Sequence, residues 1–202
     1  WIQGKNSMTK GIIFDLDGTL IQLPIDYKKI QKNLKEFFNI SNELKPLIPT
    51  IIKLSKNDQN KIKVSFDLIC KEEILASDNF KTMNNALETL IFLKSKNLSL
   101  CLVTMQCKDA LEKVLQKLQI PDLFDSIISR DESFDRQNQI ELSLKNIVLK
   151  PSEVLVVGDR LHDIESAKKI GCMPILKINE IEKIPPFPCK IIKNLIELKT
   201  IV

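Results

Sequence analysis

Gly11-Ile12-Ile13-Phe14-Asp15-Leu16-Asp17-Gly18-Thr19-Leu20 decides the fold. It opens as a short apolar run, the pattern of a strand buried on both faces of a parallel sheet. It then turns abruptly into two aspartates one residue apart, followed by Gly and Thr. Two like charges ~4 Å apart repel by roughly 4 kcal/mol at an effective dielectric of ~20. A cation relieves that repulsion, and hard Mg²⁺ suits carboxylate oxygens. Gly18 lets the backbone bend sharply and turn amides toward an anion. The plainer alternative is an Asp-Gly turn with a solvated second aspartate.

Beyond Leu20 the apolar residues change period. Ile25, Ile30, Leu34 and Phe37–Phe38 recur at helical spacing, as do Leu44 to Leu54 and then Ile62, Phe66, Ile69 and Leu75. Residues 24–80 therefore read as about three amphipathic helices, their lysines on solvated faces. From Met83 strands and helices alternate. Met83–Ile91 is helical, Leu98–Val103 is a strand ending at Thr104, and Leu111–Leu118 is helical. Phe124–Ser129 is a third strand, Ile140–Val148 a helix and Val154–Gly158 a fourth strand ending at Asp159. Leu161–Ile170 is helical and closes at Gly171, and Pro174–Ile178 is a fifth strand. Pro185–Pro188 reads as a rigid surface crossing, and the last fifteen residues as an edge strand and a helix. This alternation predicts an α/β fold with a doubly wound parallel sheet. Residues 8–23 and 81–202 form its core, and 24–80 a small helical insert after the first strand.

The chain has 202 residues, 44% apolar and 28% charged, which is ample for a core of this kind. A net charge of +4, evenly spread, mildly favours small anionic substrates and gives no basis for nucleic-acid binding. One Trp and one Tyr leave no aromatic platform for stacking bases. No apolar run reaches the ~20 residues of a membrane span. Trp1–Ser7 lacks the apolar centre of a signal peptide, and Met8 reads as the natural start. The five cysteines, at 70, 101, 107, 172 and 189, are odd in number and contain no CxxC. They read as reduced thiols of a cytoplasmic protein, not as a disulfide frame or a zinc site.

Ligands of doubly wound sheets bind at the carboxyl ends of the strands, near a switch point. Asp15, Asp17, Thr104 and Asp159 all fall there, and Asp163 follows Asp159 by four residues. Asp15 and Asp159 can ligate one Mg²⁺, with Asp163 a further ligand or a group that orients one. One aspartate of the first pair is then free to attack phosphorus, and the other to protonate the leaving group and later activate water. The hydroxyl of Thr104, and the amides from Met105 on, offer donors to phosphoryl oxygens. Gly18 belongs to the same anion-facing turn.

Asp15-Leu16-Asp17-Gly18-Thr19, the strand ending in Thr104, and Gly158-Asp159 with Asp163 resemble the first, second and fourth motifs of the haloacid dehalogenase-like hydrolases, in order and spacing. The resemblance covers about residues 11–180 and is to the phosphoglycolate phosphatase-like kind. It implies Asp15 as nucleophile, Asp17 as general acid and base and as a metal ligand through its backbone, and Thr104 as phosphate binder. It implies Mg²⁺ held with Asp159 and Asp163, and residues 24–80 as a helical cap. The family's third motif is a Lys, often in Lys-Pro. Lys150-Pro151 lies too close to Asp159 to serve, whereas Arg136 falls in the interval that spacing allows. Arg136 is thus the expected third-motif cation, with Arg130 the alternative. His162, the one histidine, reads as a loop residue, and Cys107 as near the pocket without being reactive. The implied activity is Mg²⁺-dependent hydrolysis of a small phosphomonoester through an aspartyl-phosphate. A phosphomutase, a metal-free dehalogenase and a non-catalytic binding module remain as alternatives.

Overall fold

The computed structural model describes residues 9–178 and 187–202. Strand β1 (Gly11–Asp15) runs into a tight turn and a two-residue strand β2 (Ile21–Gln22). Helices α1 (Tyr27–Phe38), α2 (Leu47–Ser55) and α3 (Gln59–Ala76) follow, and β3 (Lys81–Thr82) returns antiparallel to β2. Then come α4 (Ala86–Ser95), β4 (Ser99–Val103), α5 (Lys108–Leu118), β5 (Ser126–Ile128), α6 (Arg136–Ile147), β6 (Val154–Gly158), α7 (Leu161–Ile170), β7 (Met173–Lys177) and β8 (Lys190–Ile192). The larger sheet has six strands in the order β5-β4-β1-β6-β7-β8, every neighbouring pair parallel. This is the expected doubly wound α/β architecture.

Alternation along the central strands builds the two faces. Ile12, Phe14, Leu100, Leu102, Leu155 and Val157 point to the side covered by α4 and α5, where they meet Leu90, Leu93, Leu111 and Val114. Ile13, Cys101, Val103, Val154 and Val156 point to the other side and pack on Ile140, Leu144 and Ala167 of α6 and α7. Continuous apolar strands are thus explained by helices on both faces. Ile30, Leu34, Leu44, Ile51 and Ile69 form a separate cluster within the helical segment. Its helices are started by polar caps: Asp26 accepts from the Lys29 amide, and Asp58 from those of Asn60 and Lys61.

Three details differ from the sequence expectation. The β2–β3 ribbon, only two residues per strand, is too short to leave a periodic signal. The final helix is a 3₁₀ run, Leu195–Thr200, that buries Leu195 and Leu198 against the α4 side. The third strand is shorter than Phe124–Ser129, because Phe124 closes a 3₁₀ turn and Asp125 is spent on the Leu100 amide. The expected crossing at Pro185 and Pro186 lies outside the described residues, as does Trp1–Ser7.

The cysteine reading needs correction. Cys70 on α3 and Cys107 at the start of α5 are joined by a disulfide, their Cα atoms 5.6 Å apart. The pair is made by α3 packing against the core, a contact across 37 residues that Cys spacing does not encode. Cys101 and Cys172 are the expected buried thiols. The cytoplasmic expectation leaned on free cysteines, and this bond removes that support. Among the described residues no helix is long and apolar enough to cross a membrane.

Candidate active site

The strand order β4-β1-β6 sets the ends of three strands side by side. Asp15 closes β1, Thr104 follows β4, and Asp159 follows β6. Gly18, at φ +92°, turns the chain back after Asp17, and a side chain there would run into the Asp159 carboxylate. Gly158 is tight as well: a Cβ would lie 2.6 Å from that of Asp163. The buried Lys177 at the end of β7 donates to the Gly18 carbonyl at 3.1 Å, which fixes the turn from the opposite side.

Carboxylate oxygens of Asp15, Asp159 and Asp163 lie within 4.8 Å of one another. Burial lifts Asp15 well above its ordinary pKa, with Asp163 and Asp159 adding to the shift while Arg136 opposes it. Asp159 is pushed up to about 6, chiefly by burial and then by Asp163 and Asp17, against the pull of Arg160. Asp159 Oδ1 is buried without a hydrogen-bond partner among the described residues. Three hard oxygen donors, one of them orphaned, fit a Mg²⁺ ion. The Asp17 side chain lies outside this group and accepts from the Leu23 amide at 2.8 Å. Its pKa is raised by burial, and the Leu23 bond acts against the rise.

Opposite the carboxylates stands Arg136, the first residue of α6. A cation at a helix N-terminus is opposed by the helix dipole, so it needs other partners to hold it there. Asp135 caps the helix by accepting from the Asn138 amide. Arg136 Nη2 donates to Asp15 Oδ1 at 2.6 Å, and Nε lies 2.9 Å from Asp163 Oδ1. Nη1 is buried and unpartnered among the described residues. Gln139, one turn on, sends Nε2 to the carbonyls of Thr104 and Ser133, each at 2.7 Å, tying α6 to the end of β4.

Other expected residues sit differently. Thr104 is fully buried and its hydroxyl donates to Gln106 Oε1, so it stands behind the cavity wall. Met105 and Gln106 form that wall. His162 is no loop residue; it sits in the first turn of α7 and faces the cavity. Arg130 is not a surface group. Its Nη1 and Nη2 donate to both oxygens of Glu73 on α3, at 2.7 and 2.9 Å, and Nη1 reaches the Met105 carbonyl. Glu73 also accepts from the Cys107 amide at 2.9 Å. With Phe66 meeting Phe134 edge-on and Arg130 over the Phe66 ring, this cluster docks α3 on the core. Sequence reasoning missed Glu73, Gln139, Lys177, Arg160 and Tyr27, none of which stands in a motif; only Arg160, beside Asp159, had a positional cue. The cavity is about 440 Å³, a size that suits a small ligand.

A carboxylate fixed between a guanidinium and a divalent-cation site can attack an electrophilic phosphorus, and the same cations can spread the charge of the transferring group. The sequence agrees with this chemistry: the chain belongs to the haloacid dehalogenase-like hydrolases, matching that family over residues 12–176. By that membership it is a hydrolase. It is 29% identical over 170 residues to the pyrophosphatase PpaX of Oceanobacillus iheyensis, covering 78% of each chain. It is 26% identical over 182 residues to a phosphoglycolate phosphatase of Aquifex aeolicus, covering 83% of this chain and 84% of that one. A predicted phosphatase from Clostridium acetobutylicum has the same fold, with a TM-score of 0.75 at 19% identity over 96% of this chain and 99% of the other.

Proposed function

We propose that this protein is a Mg²⁺-dependent phosphatase that cleaves a small phosphomonoester through an aspartyl-phosphate on Asp15. The supporting observation is the gathering of Asp15, Asp159 and Asp163 around one point, with Arg136 bound to both Asp15 and Asp163. When bound there, Mg²⁺ supplies charge neutralisation for the carboxylates and for the phosphoryl oxygens. Asp15 attacks phosphorus through a carboxylate oxygen, forming the acyl-phosphate as the P–O bond to the leaving alcohol breaks. Asp17, its pKa raised by burial, gives that oxygen a proton. It then takes one from a water that attacks the phosphorus of the acyl-phosphate, releasing phosphate and restoring Asp15. The unpartnered Nη1 of Arg136 is a donor for the transferring oxygens, filling the place of the family's third-motif Lys. The amide at Met105 is a further donor, whereas the expected Gly18 amide is spent on the Ile21 carbonyl at 2.7 Å. Thr104, its hydroxyl held by Gln106, shapes the loop that carries Met105.

In the same reading residues 8–23 and 81–202 are the catalytic core, and 24–80 are a cap that excludes water and selects the alcohol. Release of inorganic phosphate from p-nitrophenyl phosphate, measured with Mg²⁺ and with EDTA, tests the proposal. Mg²⁺-dependent release that vanishes in Asp15→Asn is expected. Full activity in EDTA would revive the dehalogenase branch, and an isomerised sugar phosphate in place of free phosphate would point to a mutase. No turnover of any phosphate ester, with the fold intact, would leave the binding-module reading.

A further inference from the structure

The cavity has two chemically different ends. Asp15, Asp17, Asp163, Arg136 and Arg160 gather at the core end. Toward α2 and α3 the wall is Pro46, Leu47, Ile48, Pro49 and Ile69, with Phe134 completing it from the core. Among the described residues no lysine lines the cavity, and the helical segment contributes no cation to it at all. Its one charged lining residue is Glu73, and both oxygens of Glu73 are taken by Arg130. That pairing also spends Arg130, whose Nη1 is shared with the Met105 carbonyl. Arg136 is held by Asp15 and Asp163. Arg160 lies against Tyr27 and beside Asp159, at the end where a phosphoryl group would sit. The lining carries five carboxylates against three guanidiniums. His162, the other lining group able to carry a positive charge, stands on α7 beside Asp163 at the core end. A divalent cation balances one phosphoryl dianion in such a site, and a second anionic group set against the α2–α3 wall would find no cation there.

From this we infer that the site selects phosphomonoesters whose alcohol is an uncharged, largely apolar group, and selects against those with a carboxylate or a second phosphate beyond the ester. The inference rests on the phosphatase reading for the phosphoryl end, and on the Leu47–Ile48–Ile69 wall for the other. A carboxylate placed against that wall is desolvated without compensation. Each methylene buried there tightens binding about fourfold. The preference therefore differs from what the names of the pyrophosphatase and phosphoglycolate phosphatase relatives describe for those proteins.

Binding of non-hydrolysable phosphonates separates this inference from the catalytic one. Calorimetric titration of the whole protein with Mg²⁺ should rank hexylphosphonate above propylphosphonate, and propylphosphonate at least tenfold above phosphonoacetate. Ile48→Ala should weaken hexylphosphonate severalfold without helping phosphonoacetate. Ile48→Arg, which adds the missing cation, should raise phosphonoacetate affinity at least tenfold and lower that of hexylphosphonate. Melting curves establish that both variants fold. Phosphonoacetate binding as tightly as propylphosphonate, an affinity independent of alkyl length, or no phosphonate binding would each overturn the inference. The expected order of binding together with no hydrolysis of hexyl phosphate would sink the catalytic proposal and leave the selectivity standing.

Discussion

Arg136 Nη2 and Asp15 Oδ1 are 2.6 Å apart, joining positions separated by 121 residues. The short distance is that of a charge-assisted hydrogen bond. It sets a cation against the carboxylate proposed as nucleophile, and the same guanidinium reaches Asp163 of the carboxylate cluster at 2.9 Å.

Arg136→Ala should lower turnover by about 10²–10³, the usual cost of losing one donor to a transition-state oxyanion. The residue is only 4% exposed, so the variant should also lose stability. It strands Asp15 and Asp163, and breaking a buried pair costs on the order of 3–5 kcal/mol. Mg²⁺ should restore much of the melting temperature and little of the rate. Arg136→Lys should recover part of both. An alanine variant that melts and turns over like the parent would remove Arg136 from the site.

Arg130 illustrates a different kind of cation. From the sequence it is the alternative to Arg136 as the third-motif cation. Its bidentate bond to Glu73 makes that expectation untenable. Arg130→Ala should destabilise the fold by about 3–5 kcal/mol, because Glu73 is left charged and buried. Adding Glu73→Leu should recover part of the loss, since two apolar groups no longer need each other. Strictly additive melting shifts in that double variant would show that the pair is not coupled.

What the sequence made legible follows range and periodicity. Ile12-Ile13-Phe14 and Val154–Val157 declare buried strands because helices cover both faces. Asp15, Asp159 and Asp163 could be gathered because parallel strands bring their carboxyl ends together. Arg136 could be bracketed by counting, since the loop after β5 has a bounded length. The docking of α3 had no such rule behind it. Glu73 reads as one more charge on an amphipathic helix, and Arg130 as a loop arginine, until the helix is placed. Cys70 and Cys107 are likewise mute in isolation. Helix packing depends on the shapes of two surfaces, and neither surface leaves a periodic trace of its partner.

The carboxylate cluster makes metal binding depend on pH with a definite sign. Asp159 has its pKa pushed up to about 6 by burial, from an ordinary carboxylate value. A group raised in the folded state contributes stability below its unfolded pKa, and that contribution is lost as pH rises through the folded value. Metal-free protein should therefore be destabilised by this group on going from about pH 4 to pH 7. Mg²⁺ needs the carboxylate ionised, so its stabilising effect should grow over the same interval. At a hundredfold excess over its dissociation constant the gain is about 2.7 kcal/mol. Melting with and without EDTA from pH 4.5 to 7.5 tests this: the two curves should converge at the acid end. A constant gap across the range would place the metal on other ligands.

The Cys70–Cys107 bond predicts a redox-dependent stability. It closes a loop across 37 residues between α3 and the start of α5. Closing a loop of that order removes conformational freedom from the unfolded chain, a stabilisation of about 2–4 kcal/mol. Dithiothreitol, which reduces the bond to the two cysteine thiols while it is itself oxidised to a cyclic disulfide, should lower the melting temperature accordingly. The reduced protein should stay folded, because Glu73 still holds Arg130 and the Cys107 amide. Cys70→Ser together with Cys107→Ser should melt like the reduced parent and ignore dithiothreitol. Combining these changes with Arg130→Ala removes the disulfide and the buried ion pair, leaving the Glu73–Cys107 amide bond and the Phe66–Phe134 contact to hold α3. That variant should expose the α2–α3 segment to protease cleavage while the six-stranded sheet persists. If the parent melts identically in oxidising and reducing buffer, the bond does not form in solution, and the Glu73–Arg130 cluster alone docks the helix.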